Sequence, residues 1–185
     1  MNRRHCALLA PRIQPPSTRF AGYPYLLSGS FMTESQLHDL MGRALAAARR
    51  AGARDEVPIG AALRLPDGRI FTAGNRVMGR RDPTAHAEIE LTRRVIRALG
   101  GIRLPAGAVL AVTVEPCLMC LAALTHARVA AVHYGCPEPK WGSASRFAPL
   151  LEQAAFNHRF PIRGGLRAEE AAGLLKNYFK AKRAR

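Results

Sequence analysis

The chain has 185 residues, of which 48% are hydrophobic, so it is long enough to bury the core of one domain. It has no apolar run near the roughly 18 residues of a membrane-spanning helix. Two of its four cysteines belong to a Cys-x-x-Cys motif, so the four do not make a disulfide framework, which favours a cytoplasmic protein. The formal net charge of +15 favours a polyanionic partner.

The first 31 residues differ in composition from the rest of the chain. They contain four arginines, no acidic residue and the pair Pro15-Pro16, without sustained periodicity. We predict that residues 1–31 form a disordered N-terminal extension and that residues 32–185 form one folded domain. The alternatives are an organellar transit segment and a true start at Met32, which would make the preceding residues an artefact of the assigned start.

The first elements of the domain are predicted to be a helix and a hairpin. Residues 33–36 read Thr-Glu-Ser-Gln, which has the form of a capping box, and apolar residues follow at helical spacing. Two short apolar segments, 59–65 and 69–73, flank the turn sequence Pro-Asp-Gly at 66–68. This pattern predicts an antiparallel hairpin.

Two further helices and a strand follow. The sequence Asp-Pro-Thr at 82–84 is typical of a helix start, and this helix should run to about Leu99 before Gly100. The apolar run 109–114 predicts a strand that is buried on both faces. Pro116 suits the first position of the next helix, because its missing N–H costs nothing there.

The last third of the chain alternates in the same way. The sequence predicts strands at 129–134 and 160–163, a helix near 147–155 and an amphipathic helix at 168–182. Because strands alternate with helices along the whole domain, we predict a three-layer α/β architecture.

Two short motifs carry the side chains of a metal enzyme. His-Ala-Glu at 86–88 offers an imidazole and a carboxylate, and Pro-Cys-Leu-Met-Cys at 116–120 offers two thiols. Catalytic zinc takes three protein ligands and keeps a fourth position for water, whose pKa it lowers to roughly 7. We therefore predict that one zinc ion per subunit is held by His86, Cys117 and Cys120. Glu88 is left to move protons.

The pattern Cys-x-x-Cys has other uses, in redox pairs and in structural zinc sites. A structural site would need a second Cys-x-x-Cys or a His-x-His, and the sequence has neither. The combination of H-x-E with P-C-x-x-C is instead the signature of zinc-dependent base deaminases, which favours a catalytic site. We interpret Cys6 and Cys136 as bystanders, Cys136 as a small buried residue.

From residue 33 to about residue 183 the chain resembles the cytidine-deaminase-like fold and, within it, the bacterial tRNA adenosine deaminases, which convert wobble adenosine to inosine. The resemblance rests on five blocks: Glu56-Val57-Pro58-Ile59-Gly60, Asn75-Arg76, Asp-Pro-Thr-Ala-His-Ala-Glu-Ile at 82–89, Thr113-Val114-Glu115-Pro116-Cys117 and Asn157-His158-Arg159. It implies a central mixed sheet of about five strands flanked by helices. It also implies a homodimer and zinc-dependent hydrolytic deamination in the tRNA anticodon loop.

The same resemblance assigns roles around the target base. Asn75 is expected to contact the base or its ribose, because an amide both donates and accepts hydrogen bonds. Val57 and Pro58 are expected to wall the pocket, and the backbone N–H of Ala87 to orient the base. Glu88 is expected to protonate the ring nitrogen beside C6 and then the departing amine.

Basic and polar residues outside the pocket are candidates for contacts with the tRNA anticodon stem-loop. One group immediately precedes the His-Ala-Glu motif, and others lie after residue 135 and in the last helix. The predicted RNA contacts are Arg76, Arg80, Arg81, Lys140, Asn157, His158, Arg159, Lys180 and Arg183.

Two other functions compete with this interpretation. The first is deamination of a free nucleobase or nucleoside such as guanine, cytosine or cytidine, which would not need so basic a surface. The second is a catalytically silent RNA-binding or partner subunit on the same fold, which would have no use for Glu88. The chain departs from the family at residues 135–143, where two prolines and a tryptophan replace an Asp-x-Lys-x-Gly-Ala type of loop.

Overall fold

The computed structural model describes residues 32–140, 142–144 and 157–184. The predicted extension at 1–31 and the predicted helix near 147–155 lie outside these residues. In the described part of the chain, no helix is both long enough and apolar enough to cross a membrane.

The centre of the domain is a mixed sheet of five strands in the order β2-β1-β3-β4-β5. The first three strands in this order pair antiparallel, and β3, β4 and β5 pair parallel. This sheet and its flanking helices confirm the predicted fold class. The strands are β1 Gly60–Arg64, β2 Ile70–Gly74, β3 Val109–Val114, β4 Ala131–Cys136 and β5 Ile162–Arg163.

Helices cover both faces of this sheet. They are α1 Glu34–Gly52, α2 Val77–Arg80, α3 Ala87–Leu99, α4 Leu118–Ala127 and α5 Ala168–Arg183. One hydrophobic core lies between the sheet and the pair α1 and α5, and the other lies between the sheet and the pair α3 and α4. The domain therefore has three layers, as predicted.

Local sequence explains these elements. Thr33 and Gln36 form the predicted capping box at the start of α1, with bonds of 2.9 and 3.2 Å. Every residue of β3 is buried, because Leu110 and Val112 enter one core while Val109 and Ala111 enter the other. The predicted hairpin is present as β1 and β2.

Both helix starts near the zinc motifs differ from the prediction. The carboxylate of Asp82 accepts hydrogen bonds from the backbone N–H and hydroxyl of Thr84, at 2.8 and 2.7 Å. These bonds close a local turn, so α3 begins only at Ala87 with His86 as its N-cap. Pro116 precedes α4 instead of opening it, and Cys117 is the N-cap.

The strand directions bring several chain segments to one edge of the sheet. β2, β3 and β4 end at this edge, and β1 begins there with Gly60 opposite Gly74. Gly60 also packs against the backbone of α1 so closely that a Cβ would overlap it. α4 starts directly after β3 at the same place. We call this side of the sheet, which is formed by the ends of the strands and not by an outer strand, the carboxyl edge.

Candidate metal centre and active site

Three predicted metal ligands meet at the carboxyl edge. His86 and Cys117 are the N-caps of α3 and α4, and Cys120 lies in the first turn of α4. The Nδ1 atom of His86 lies 3.6 Å from Sγ of Cys117 and 3.5 Å from Sγ of Cys120. The three ligand atoms all lie within 4.8 Å of one another. Two helix starts from one layer thus present one nitrogen and two sulfurs to a common point.

This geometry fits zinc. Bonds of about 2.3 Å to sulfur and about 2.0 Å to nitrogen, at a tetrahedral angle, would separate the nitrogen and sulfur atoms by about 3.5 Å. The observed separations of 3.5 and 3.6 Å agree with that value. One imidazole and two thiols are also the soft and borderline donors that zinc prefers. Three ligands leave the fourth position for water.

The two ligand cysteines interact with each other, and this interaction shifts their pKa values in opposite directions. Hydrogen bonding from Cys120, with a further bond to His86, lowers the pKa of the Cys117 thiol to about 4. The pKa of Cys120 is raised, first because its proton is held by the Cys117 sulfur and then by burial. The lowered pKa favours the thiolate form of Cys117, which is the form that binds a metal.

Glu88 lies two residues after His86 in the first turn of α3, and only 4% of it is exposed. Burial raises the pKa of its carboxyl group. The carboxyl group interacts with the thiol of Cys120, which places it beside the cluster. A buried carboxyl group with a raised pKa next to a metal site is suited to take up and return a proton.

Asn75 connects β2 to the start of α3. Its Oδ1 accepts the backbone N–H of Ala87 at 2.9 Å, and the residue is 5% exposed. The N–H of Ala87, which was expected to orient the base, is thus already bonded to Asn75. A contact from this N–H to a substrate would have to replace that bond.

The predicted pocket wall lies next to Asn75. The backbone N–H of Asn75 donates to the carbonyl of Ile59 at 3.0 Å, and Val57 and Pro58 directly precede Ile59. Glu56, whose role was not predicted from the sequence, is 3% exposed. Its carboxylate accepts the N–H groups of Met78 and Gly79, at 3.1 and 2.8 Å.

A second missed carboxylate organises the loop that departs from the family pattern. Glu115 accepts the N–H of Glu138 at 3.1 Å and the N–H of Ala144 at 2.9 Å. Gly142 pairs with Cys117 in an isolated bridge, and a Cβ on Gly142 would overlap the Glu115 carboxylate. Glu115 therefore holds this loop against the metal ligand Cys117. The only signal in the sequence was its place in the Thr-Val-Glu-Pro-Cys block.

The predicted RNA contacts fall in different parts of the molecule. Arg76, Arg80 and Arg81 lie around α2, after the end of β2. Lys140 is in the loop held by Glu115, and its backbone N–H donates to Glu138. Lys180 and Arg183 are exposed in the last turns of α5. That helix reaches Asp55 through Tyr178 and Lys182, so its end lies beside the segment before Val57.

Asn157, His158 and Arg159 are not brought to the metal cluster. The carbonyl of Asn157 accepts a bond from Arg128 at 2.5 Å, and the ring of His158 bonds the carbonyl of Val129 at 2.6 Å. Arg128 and Val129 lie between the end of α4 and the start of β4. The start of β4 is at the opposite end of the strand from the carboxyl edge and the metal cluster. The Asn-His-Arg block therefore anchors the chain that leads into β5.

The three-layer fold and the His-Cys-Cys cluster with its buried glutamate define a zinc-dependent deaminase. Residues 34–136 match the family model described as the cytidine and deoxycytidylate deaminase zinc-binding region. The chain is 46% identical over 144 residues to the tRNA-specific adenosine deaminase of Agrobacterium fabrum, which covers 77% of this chain and 93% of the relative. It therefore belongs to the cytidine and deoxycytidylate deaminase family and, within it, to the tRNA-specific adenosine deaminases.

Two solved deaminase structures are similar to this chain. A chain from structural studies of A-to-I editing by tRNA:A34 deaminases at the wobble position is 46% identical, with a TM-score of 0.69 over 74% of this chain and 99% of that one. The guanine deaminase of Bacillus subtilis is 27% identical, with a TM-score of 0.54 over 83% of this chain and 96% of that one.

Proposed function

We propose that this protein hydrolyses the 6-amino group of the wobble adenosine in a tRNA anticodon loop, which yields inosine and ammonia. The observation that carries the proposal is the buried carboxyl group of Glu88 beside the cluster of His86, Cys117 and Cys120. The 46% identity to a tRNA-specific adenosine deaminase and the net charge of +15 support an RNA substrate.

Proton transfer by Glu88 is the central step of the proposed reaction. His86, Cys117 and Cys120 would hold the zinc ion, which as a Lewis acid would let water ionise near neutral pH. Glu88 accepts the proton that water gives up and passes it to N1 of adenine, which makes C6 electrophilic. After the oxygen has bonded to C6, Glu88 takes the remaining proton from that oxygen and gives it to the amine. The C6–N bond then breaks, ammonia leaves and C6 keeps a carbonyl oxygen. Such proton transfer typically contributes about 10²–10⁴-fold to the rate.

The target base is proposed to lie between the metal cluster and the segment 57–59. A base inside a folded anticodon loop must leave its stack to reach the cluster, and the pocket must then hold it. Val57 and Pro58 provide apolar walls, and Asn75 offers an amide at the carboxyl edge. Because Oδ1 of Asn75 is bonded to Ala87, its Nδ2 donors are the atoms that face the substrate in this proposal.

Deamination of a free base is the second candidate, and the likeness to a guanine deaminase favours it. Ionic strength separates the two functions. Association with RNA releases counterions, so kcat/KM for a stem-loop should fall steeply between 50 and 200 mM salt, by roughly tenfold or more. Turnover of a free base should change little. A salt-independent kcat/KM for every substrate that is turned over would contradict the RNA proposal.

We also propose that the protein is a cytoplasmic homodimer, as its resemblance to the family implies. The cytoplasm keeps thiols such as Cys117 and Cys120 reduced. An apolar depression of about 290 Å³ between α3 and α4 supports the dimer, and Leu118 at the start of α4 is 49% exposed. The buried hydroxyl of Thr92 lines this depression and has no hydrogen-bond partner in the described part of the chain.

The dimer can be tested at Ala123, which lines the same depression and lies one turn after Cys120 in α4. The unmodified protein should sediment with twice the mass of the chain, and Ala123→Glu should sediment with the mass of one chain. The same change at Ala184, beyond the end of α5, is the control. A monomeric unmodified protein would contradict the proposal.

A further inference from the structure

A basic cavity of about 580 Å³ lies along the outer edge of the sheet, where β2 is the last strand. Most of the side chains that line it are arginines, and one is acidic. We call it the arginine groove, and its charged lining residues are Arg50, Arg54, Arg76, Arg80, Arg93, Arg94, Arg97 and Glu90.

Arginines reach this groove from both helical layers. Arg50 comes from the end of α1 and its Nη2 donates to the hydroxyl of Thr72 in β2 at 3.4 Å. Arg94 comes from α3, and its Nη1 donates to the carbonyl of Thr72 at 3.1 Å. Because α1 and α3 pack on opposite faces of the sheet, their arginines converge over the free edge of β2.

Acidic partners balance only a small part of this charge. Within the described residues, Arg80 pairs with Glu90 at 2.8 Å and Arg93 with Asp82 at 3.8 Å, and no other arginine of the groove has an acidic partner. Like charges held together destabilise a folded chain unless an anion neutralises them. The groove is therefore built to receive negative charge.

The groove leads directly to the active site. Gly74 and Arg76 line its end at the carboxyl edge, and Asn75 lies between them in the chain. The side chain of Asn75 bonds Ala87, which stands between His86 and Glu88. A strand of nucleic acid in the groove would therefore pass beside the pocket for the target base.

We propose that the arginine groove binds the phosphates of the RNA strand that flanks the deaminated nucleotide. This inference rests on the proposed function and adds to it a binding site outside the base pocket. The part of α3 from Glu90 to Arg97 spans about 10 Å, at 1.5 Å per residue. A stacked strand carries about one phosphate per 3.4 Å of its axis, so the groove has room for about three phosphates.

A purely structural explanation is that the arginines shield the free edge of β2 from pairing with another strand. Arg50 and Arg94 bond Thr72 and would serve that purpose. Arg54 and Arg97 have neither a side-chain hydrogen bond to β2 nor an acidic partner among the described residues. Substitution of Arg54 and Arg97 should therefore weaken RNA binding without removing the bonds that shield β2.

The test is the double variant Arg54→Gln/Arg97→Gln, compared with the control pair Arg43→Gln/Arg103→Gln. The control removes the same charge from two exposed arginines outside the groove. Both pairs are made in zinc-loaded protein that carries Glu88→Gln, so that an anticodon stem-loop is bound without turnover. Fluorescence anisotropy then gives the Kd over a range of salt concentrations, and thermal unfolding reports on stability.

We expect the groove pair to raise the Kd roughly tenfold at 0.1 M salt, because two phosphate contacts are lost. The slope of log Kd against log salt should fall by about 1.4, at about 0.7 for each contact to a single strand. The control pair should change the Kd by less than about twofold. Equal effects of the two pairs, or a lower Tm with an unchanged salt slope, would overturn the inference.

The outcomes also separate this inference from the proposed function. If the unmodified protein deaminates the stem-loop but the groove pair keeps its salt slope, the groove proposal fails and the proposed function stands. If the unmodified protein does not deaminate the stem-loop, the proposed function fails and the groove proposal fails with it.

Discussion

Asn75 positions the start of α3 through one hydrogen bond, in which its Oδ1 accepts the backbone N–H of Ala87 at 2.9 Å. Ala87 stands between the metal ligand His86 and the proton-transfer residue Glu88. The positions of the His86 and Glu88 side chains therefore depend on Asn75, which directly follows β2. The segment that contains α2 separates Asn75 from α3 in the chain. The buried amide of Asn75 is well placed both to position the start of α3 and to contact the substrate.

Two substitutions at Asn75 separate these roles. Asn75→Asp keeps an oxygen acceptor for Ala87 but has no Nδ2 donor, whereas Asn75→Ala has neither. We expect Asn75→Asp to keep its zinc and to lower kcat/KM about 100-fold, which is typical of a lost donor to the reacting group. Asn75→Ala should also lower the Tm. Full activity of Asn75→Asp would mean that Asn75 only positions α3.

Glu88→Gln should abolish most turnover without releasing the metal. The amide is nearly isosteric with the carboxyl group but cannot carry a proton, so kcat should fall by about 10²–10⁴-fold. Single-turnover deamination measures the loss, and elemental analysis should still find one zinc ion per chain. A variant that keeps full activity would remove Glu88 from the mechanism.

Cys120, a predicted metal ligand, and Cys136, which lies outside the cluster, should respond differently to substitution by serine. Cys120→Ser removes a sulfur ligand, and we expect the protein to lose its zinc, its activity and part of its thermal stability. Cys136→Ser is the matched control, because Cys136 is buried and bonds the carbonyl of Thr113 at 3.7 Å, outside the cluster. It should keep one zinc ion per chain. Loss of zinc from Cys136→Ser alone would contradict the assignment.

Glu115→Gln should loosen the loop beside Cys117. A carboxylate accepts the N–H groups of Glu138 and Ala144 on separate oxygens, whereas an amide has only one oxygen to offer. One N–H then loses its acceptor, so we expect the free energy of unfolding to fall by about 1–2 kcal/mol in urea.

The control for this loop is Glu138→Gln, since the Glu138 side chain accepts one N–H, from Lys140, and an amide oxygen can replace it. Equal stability of Glu115→Gln and the unmodified protein would show that the loop does not depend on Glu115.

Stability should fall in acid partly because of His133 in β4. Burial, with Arg163 nearby, lowers the pKa of His133 to about 4, whereas it is about 6.5 in an unfolded chain. Between these values the unfolded state binds a proton that the folded state does not, so the free energy of unfolding falls as the pH falls from about 6.5 to about 4. We expect His133 to account for about 3 kcal/mol of this loss.

The variant His133→Val isolates that contribution, because both proteins keep the same metal ligands. Urea unfolding of the two zinc-loaded proteins should give a stability difference that is constant above pH 7 and that shifts in favour of the variant toward pH 4. Parallel pH profiles for the two proteins would contradict the assignment to His133.

Much of the fold could be predicted because its signals are local. The unbroken apolar run of β3 and the capping box at Thr33 each depend on a few neighbouring residues. The same holds for the metal ligands, which come from two short motifs at two helix starts. The start of α3 was placed too early because the Asp82 carboxylate accepts the backbone N–H of Thr84 in a local turn. Hydrophobic periodicity does not reveal such a bond.

Other parts of the site depend on contacts between distant segments. Glu56 and Glu115 bond backbone groups 22 to 29 residues away, and a single sequence does not say where a lone glutamate is buried. The arginine groove combines residues of α1 and α3 from opposite faces of the sheet. The Asn-His-Arg block was predicted to contact RNA, and its bonds to Arg128 and Val129 lie at the ends of the strands opposite the metal cluster, which the strand order alone reveals.

Mass-resolved deamination by the zinc-loaded protein tests directly whether this enzyme acts on the wobble adenosine. An arginine-tRNA anticodon stem-loop with a wobble adenosine would be compared with free adenosine, cytidine, cytosine and guanine. We predict a gain of about 1 Da at the wobble position, from replacement of an amine by an oxygen, with the four free compounds unchanged. Turnover of a free compound beside an inert stem-loop would contradict the account and would direct attention to the divergent loop held by Glu115.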